Sequence, residues 1–192
     1  MLNSAPFSLD LPFRGARPYL HSASIANALA PRFADADFFD LNMRGWMTHR
    51  LVFRPLETGV VAAGSGHVII AKGPQRLRFE ITEDTNHPAI AREPYDEDAV
   101  PYILNTETRH LQVDAVTGYS FFDRLIAANK VLINRTLNPG VKLIAARILS
   151  PGFPVDEEPF ALQVSGVVGS KLFRSAILIG GEKQGEVLFY GE

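Results

Sequence analysis

The most regular pattern in the chain is an apolar stripe at helical spacing between residues 119 and 137. The residues of this stripe are Phe122, Leu125, Ile126, Leu132, Ile133 and Leu137. Because they fall on one side of a helical wheel, they predict an amphipathic helix with this face in the core. The polar residues predicted outside the stripe are Asp123, Arg124, Lys130, Asn134 and Arg135. The run Asn138-Pro139-Gly140 predicts the end of the helix.

Alternation of apolar and polar residues predicts β-strands before and after this helix. The predicted strands fall within residues 6–12, 51–55, 67–71, 77–81, 111–115, 141–149, 160–168, 172–179 and 186–190. A second, shorter helix is predicted to be capped by Ser22 or Ser24 and to run to Leu29, before Pro31 ends or kinks it. Residues 83–101 are polar and contain prolines, so we expect an exposed, acidic connection there.

Composition places the chain among ordinary globular proteins, and the mixture of strands and helices predicts the α+β class. Its 192 residues are 46% apolar and 21% charged, which is enough for one core or two small lobes. The net charge of −2 and the lack of a Lys- or Arg-rich run argue against a nucleic-acid partner. The absence of cysteine excludes disulfides and thiolate sites and favours a reducing compartment. Residues 1–17 lack the pattern of a signal peptide and no long apolar run is present, so we expect a cytoplasmic protein without a membrane span.

The two halves of the sequence share the order strand, loop, helix and several further strands. After each helix comes a strand with an Arg, an apolar run and a closing Pro, in THRLVFRPLETG and KLIAARILSPGFP. One interpretation is a tandem duplication, with an N-terminal lobe at residues 1–100 and a C-terminal lobe at residues 101–192. The other is a single domain in which one continuous sheet holds both helices. The sequence leaves both interpretations open.

Residues 119–192 carry three runs that together resemble a known superfamily. These runs are YSFFDRLIAANKVLIN, LIAARILSPGFPVDEEPFALQVSGVV and LFRSAILIGGEKQGEVLFYG. A long helix, an Arg- and Pro-containing strand, a hairpin and a final strand with a Glu are similar to the hotdog fold of acyl-thioester dehydratases and thioesterases. The resemblance implies a bent antiparallel sheet wrapped around a long central helix, with two tandem hotdog-like lobes if the first half repeats the second. It also implies acyl-CoA or acyl carrier protein as a partner.

The segments before the two helices depart from the dehydratase branch of this superfamily. That branch has a His in a Gly- and Pro-rich run before the helix, and an acidic residue on the helix. Here the long helix follows VDAVTGYS, which lacks His, while PYLHSASIANAL places His21 before a short helix that lacks a carboxylate. If the two halves are a true duplication, the resemblance implies a double hotdog with one degraded or split site.

Two residues, Asn129 and His21, are the candidate catalytic groups. Asn129 lies within the apolar stripe, where an amide without partners costs roughly 1–3 kcal/mol. It is therefore either a core amide bonded to the sheet or a polar group that faces a substrate cleft and polarises a carbonyl. His21 precedes a helix N-terminus, where the neutral imidazole is favoured and can act as a base. The alternative for His21 is a loop histidine in solvent.

No other pattern indicates a metal or a cofactor, and none is expected. Four histidines lack the spacing of metal ligands: His49, His67, His87 and His110. No GxSxG elbow is present, and no GxGxxG motif follows a strand. The acidic runs at residues 96–98 and 156–158 are interpreted as solvated loops, and Glu186 as an exposed strand position.

The leading functional hypothesis is an enzyme that hydrolyses or hydrates acyl thioesters, with His21 and Asn129 in its site. The rival hypothesis is a non-catalytic binding or assembly protein that keeps the fold without the chemistry, so enzymatic activity stays open. An unpaired edge strand makes a homodimer the expected assembly. A third interpretation is an unrelated β-sandwich or barrel with two helices.

Overall fold

The structure, a computed structural model, describes residues 2, 4–57 and 59–192. Its strands are β1 (Phe7–Leu9), β2 (Phe13–Arg14), β3 (Phe38–Met43), β4 (His49–Pro55), β5 (Gly66–Lys72), β6 (Gln75–Pro88), β7 (Arg92–Glu93), β8 (Ile103–Asn105), β9 (His110–Val113), β10 (Leu143–Ser150), β11 (Phe160–Val168), β12 (Leu172–Ile179) and β13 (Glu182–Gly191). Its helices are α1 (Ser22–Leu29), a short 3-10 helix (Ala30–Arg32) and α2 (Phe121–Leu137). The predicted helices and strands are confirmed, with ends that differ by a few residues.

Eleven strands form one antiparallel sheet in the order β1-β4-β6-β5-β3-β10-β13-β12-β11-β9-β8. Strands that precede residue 100 occupy one side of this order and later strands the other. The two sides meet where β3 pairs with β10, with Leu41 opposite Ile148. A separate two-stranded sheet pairs β2 with β7 in parallel. The large sheet therefore joins strands from both halves of the sequence without a break. The division into lobes at residues 1–100 and 101–192 stays a prediction.

The outer edges of the large sheet are its two shortest strands, β1 and β8, with three residues each. Each leaves one row of backbone groups available for pairing, and short edge strands limit how long such pairing can run. Ile103, on β8, is an exposed apolar residue on one of these edges. The predicted homodimer stays a prediction, with these edges as the places where strands of two copies can pair.

Helix α2 ends where its sequence predicts and begins two residues after the predicted start, at a capping box. The Ser120 hydroxyl accepts a hydrogen bond from the Asp123 amide at 3.1 Å, and the Asp123 carboxylate accepts one from the Ser120 amide at 3.3 Å. Asn138 ends the helix in the left-handed conformation, with φ of 42°. The stripe residues that are buried in the core are Phe122, Leu125, Ile126, Leu132 and Ile133. Helix α1 packs against α2, so both helices share one core with the sheet.

The first two polar residues of α2 are buried in the structure. Asp123 and Arg124 are 5% and 0% exposed, although both lie outside the apolar stripe. The Arg124 guanidinium donates to the backbone carbonyl oxygens of Asp114, Asp156 and Glu158. These carbonyls belong to the loops that follow β9 and precede β11, so the loops cover the side chain from outside. A guanidinium has five N–H donors in a planar fork, which suits it to join several carbonyls at once.

The exposed connection predicted at residues 83–101 is wrong in its first part, because β6 continues to Pro88. This end of β6 pairs with β4, where Glu83 lies opposite Leu51 and Asp84 opposite Arg50. Its polar composition conceals the strand, since this stretch has no apolar alternation for a pattern to detect. Neither helix in the described ranges is long and apolar enough to cross a membrane.

Candidate functional site

A small cavity, called here the inner cavity, lies at the N-terminal end of α1, where both helices meet the middle of the sheet. Its volume is about 30 Å³, which is space for one or two water molecules. Its polar wall is formed by Arg17, Tyr19, His21, Ser22, Glu97 and Lys130. Its apolar wall includes Met43, Trp46, Ile126, Ile144 and Phe189. The inner cavity therefore joins charged groups to an apolar surface, as a site for an amphipathic ligand requires.

His21 is buried in the wall of this cavity, not in solvent. It is the N-cap residue of α1, with extended backbone angles, and its side chain makes no capping hydrogen bond. The imidazole is 5% exposed, and its Nδ1 has no hydrogen-bond partner among the described residues. Its Nε2 lies 3.9 Å from Oε1 of Glu97. The cap predicted at Ser22 or Ser24 is wrong, because both serines lie inside the first turn of α1.

Burial keeps the His21 imidazole neutral. Loss of solvent and, to a smaller extent, the charges of Arg17, Arg14 and Lys130 together lower its pKa from 6.5 to about 3. A neutral imidazole offers one N–H donor and one acceptor nitrogen. Next to it, the first-turn amides of α1 have no partner within the helix and carry the positive end of the helix dipole. This end of the cavity is therefore suited to an oxygen atom that develops negative charge.

Glu97 supplies the carboxylate that faces His21. Its oxygens accept hydrogen bonds from the Arg17 guanidinium and from Lys130 Nζ, the latter at 2.6 Å. Its side chain is only 16% exposed, so the solvated loop predicted at residues 96–98 is wrong for this position. Arg17 and Lys130 lie 80 and 33 residues away in sequence. No local pattern could therefore have shown that Glu97 turns inward.

A second layer of polar contacts surrounds the pair. The Tyr95 ring lies 5.4 Å from the His21 ring, and its hydroxyl donates to the Asp123 carbonyl oxygen at 3.1 Å. Burial raises the pKa of Tyr95, so its hydroxyl stays protonated. Arg14 Nη1 donates to the Asp123 carboxylate at 2.7 Å. These contacts join Tyr95 and Arg14 to the first turn of α2, and the Tyr95 hydroxyl proton is used in its bond to Asp123.

Asn129 is buried behind the cavity and is not part of its wall. It is 0% exposed, and neither atom of its amide has a hydrogen-bond partner among the described residues. Its neighbours on α2, Ile126 and Lys130, do line the cavity. The structure therefore brings His21 and Glu97 together at the inner cavity and leaves Asn129 inside the core. A catalytic role for Asn129 stays a prediction.

Replacing Asn129 with leucine should raise the free energy of unfolding by about 1 kcal/mol. Leucine has nearly the same size, and the change removes two buried polar groups that lack partners. Chemical denaturation of both proteins measures the difference. Asn134→Leu, at an exposed position on the same helix, is the matched control and should change stability by less than about 0.5 kcal/mol. A clear loss of stability in Asn129→Leu would contradict the expectation.

The burial of His21 should make the protein sensitive to acid. Its pKa is about 3 in the folded protein against 6.5 in the unfolded chain, so between these values only the unfolded state binds the proton. Stability is then highest above pH 6.5 and is lost as the pH falls towards 3, by about 1.4 kcal/mol for each pH unit. Urea unfolding should show a loss of about 2 kcal/mol between pH 7 and pH 5 from this residue.

Two variants check that assignment. His21→Gln should remove this part of the pH dependence, because glutamine does not titrate. His87→Gln should keep it, since the His87 side chain is 53% exposed beside Asp84. Equal pH dependence in wild type and His21→Gln would show that another group is responsible.

A wider groove, called here the outer groove, lies on the other side of Trp46. Its volume is about 470 Å³, and most of its exposed lining is apolar. It shares Met43, Gly45, Trp46, Ile144 and Ala145 with the inner cavity. The two spaces are therefore neighbours that a common set of side chains divides.

The described part of the chain contains no group of three or more His, Asp or Glu residues that could hold a metal ion. A His and a carboxylate facing each other beside free amides can polarise a carbonyl and take a proton from water. Of the residues that line the inner cavity, His21 was predicted from the sequence as a site residue, whereas Glu97 and Trp46 were not.

No family model matches the sequence, and no curated protein matches it. The fold is similar to solved structures along its full length. The TesB protein of Mycobacterium avium subsp. paratuberculosis is 9% identical, with 100% of this chain and 95% of that chain covered at a TM-score of 0.50. A candidate thioesterase II from Thermobifida fusca is 10% identical, with the same coverages and the same TM-score of 0.50. Together with the antiparallel sheet and the helix α2, these similarities show that the chain is an α+β protein with a hotdog fold.

Proposed function

We propose that this chain is a hydrolase of acyl thioesters and that the inner cavity is its reaction site. The observation that supports this proposal is the pairing of buried His21 with Glu97 beside the N-terminal turn of α1. One cavity is thus lined by a neutral imidazole, a carboxylate and the first residue of α1, Ser22. The names of the two similar structures, TesB and thioesterase II, agree with this class of reaction. Acyl-CoA and acyl carrier protein are the proposed carriers of the acyl group.

In the proposed reaction, the thioester carbonyl oxygen accepts hydrogen bonds from the first-turn amides of α1 and from the neutral His21. A water molecule in the inner cavity attacks the carbonyl carbon and gives a proton to the Glu97 carboxylate. The carbon–sulfur bond then breaks, and the thiolate takes the proton from Glu97. The products are a carboxylic acid and a thiol. The side chains of Arg17 and Lys130 orient the Glu97 carboxylate throughout.

Hydrolysis fits this geometry better than hydration or dehydration. Those reactions need a proton donor for the hydroxyl group in addition to a base. Both carboxylate oxygens of Glu97 accept hydrogen bonds from cations, so at the start of the reaction this residue is an acceptor and offers no proton to a hydroxyl group. The Tyr95 hydroxyl donates to the Asp123 carbonyl, and burial raises its pKa. A water molecule, in contrast, fits the inner cavity as it stands.

A second candidate function is the binding of acyl thioesters without catalysis. The two cations on Glu97 favour it, because Arg17 and Lys130 already donate hydrogen bonds to the two carboxylate oxygens that would have to take a proton from water. In that case the amides of α1 and His21 bind the carbonyl oxygen, and no proton is transferred. The two functions share the site and differ only in turnover.

The proposal is tested by the release of thiol from acetyl-, butyryl- and octanoyl-CoA, with thermal unfolding measured on the same samples. We expect thiol release above the rate of the free ester for at least one chain length. A thermal shift with no release supports binding without catalysis. Neither release nor shift with any ester would overturn both candidate functions.

A further inference from the structure

We infer that Trp46 is the specificity-determining residue of this site, and that its ring sets the length of acyl chain that the inner cavity accepts. The inference rests on the proposed function for its choice of ligand. It comes from the position of one side chain between two spaces. Trp46 lines both the inner cavity and the outer groove.

The Trp46 ring is held in place by two neighbours. The Tyr19 ring meets it edge-on, with centroids 3.8 Å apart. Lys142 Nζ lies 4.1 Å from the centre of the Trp46 ring and 5.3 Å from that of Tyr19. An ammonium group over an indole ring is a favourable electrostatic contact. These two contacts restrict the movement of the Trp46 side chain between the inner cavity and the outer groove.

The two spaces on either side of Trp46 differ greatly in size. The inner cavity measures only about 30 Å³, whereas the outer groove measures about 470 Å³, so a long alkyl chain needs the space of the outer groove. A chain that runs from a carbonyl group at His21 into the outer groove passes the side chains that line both spaces, and Trp46 is the largest of them. The other shared lining residues, Met43, Ile144 and Ala145, make the path on both sides apolar. Removal of the indole ring should join the two spaces into one apolar channel.

The test is the binding of butyrate, octanoate and dodecanoate, measured by calorimetry for wild type and Trp46→Ala. These fatty acids are the acid products of the proposed reaction and bind without turnover. Each additional methylene that the channel buries should lower Kd by about fourfold. We expect Trp46→Ala to bind octanoate at least about tenfold more tightly than wild type, with butyrate changed less than about twofold. Trp46→Phe should fall between the two.

Tyr102→Ala is the control, because Tyr102 is an exposed aromatic residue that lines neither the inner cavity nor the outer groove. It should leave the ratio of octanoate to butyrate affinity unchanged. In wild type, Trp46 is the single tryptophan of the chain, so its fluorescence reports on this site alone. Butyrate should change the emission saturably if the carboxylate occupies the site.

The same octanoate-to-butyrate ratio in wild type, Trp46→Phe and Trp46→Ala would overturn the inference, as would the absence of fatty-acid binding to all three. Loss of the proposed hydrolase activity gives a different result. In that case Trp46→Ala still changes the chain-length profile while no protein releases thiol. The inference and the proposed function can therefore fail separately.

Discussion

Replacing Glu97 with glutamine should lower kcat/KM for thioester hydrolysis by about 100-fold or more, because an amide cannot take the proton from the attacking water. His21→Ala should cause a loss of similar size, since it removes a hydrogen-bond donor from the developing oxyanion. Thiol release with the best ester of the chain-length series measures both effects. Urea unfolding of the same proteins shows whether each variant remains folded.

Asp98→Asn is the matched control for Glu97→Gln. Asp98 belongs to the same acidic run but is exposed, and it does not line the inner cavity. It should keep kcat/KM within about twofold of wild type, because a solvated charge outside the cavity has little effect on the reaction. A folded Glu97→Gln protein with wild-type kcat/KM would contradict the proposed role of Glu97. It would also favour binding without catalysis if the esters still shift the melting temperature.

Replacing Arg124 with alanine should lower the free energy of unfolding by about 3–5 kcal/mol. The change leaves three backbone carbonyls without their donor and a cavity where a fully buried side chain was. The loops that contain Asp114, Asp156 and Glu158 should lose protection first, because Arg124 joins each of them to α2. Denaturant unfolding and amide hydrogen exchange measure the two parts of this prediction.

Arg135→Ala is the comparison for Arg124→Ala. Arg135 is an exposed arginine in the last turn of the same helix, where a cation interacts with the helix dipole. Its removal should cost less than about 1 kcal/mol. Similar losses in the two variants would mean that the buried contacts of Arg124 contribute little to the folded state.

The sequence was most informative where one element carries its own signals. Helix α2 has an apolar stripe, a Ser–Asp capping box and the stop at Asn138, and all three are local. The strands with one solvent-exposed face were predicted for the same reason, since their alternation of apolar and polar residues is visible within a few positions. The resemblance that led to the hotdog fold came from the order of these elements after residue 119.

The parts that could not be predicted depend on residues far apart in sequence. Arg124 is buried by loops that close over it, and nothing in its own helix distinguishes it from an exposed arginine. Glu97 turns inward because Arg17 and Lys130 donate hydrogen bonds to its carboxylate. Trp46 lines both the inner cavity and the outer groove, and the residues that form these spaces with it lie far from it in sequence.

The two predicted site residues had different outcomes for a physical reason. His21 was identified from its position before a helix, and the structure places it there, as the N-cap residue of α1. Asn129 was identified because its amide interrupts an apolar face. That interruption shows burial but not what lies opposite, and the structure shows no hydrogen-bond partner for it in the described ranges.

The most direct test of the thioester site is the nuclear magnetic resonance spectrum of histidine-labelled protein, titrated with a thioether analogue of octanoyl-CoA that cannot be hydrolysed. The chain has five histidines, and comparison with His21→Gln assigns the buried one. The account predicts that the His21 imidazole signals shift saturably while those of His49, His67, His87 and His110 stay in place. Binding that leaves the His21 signals unchanged would contradict it.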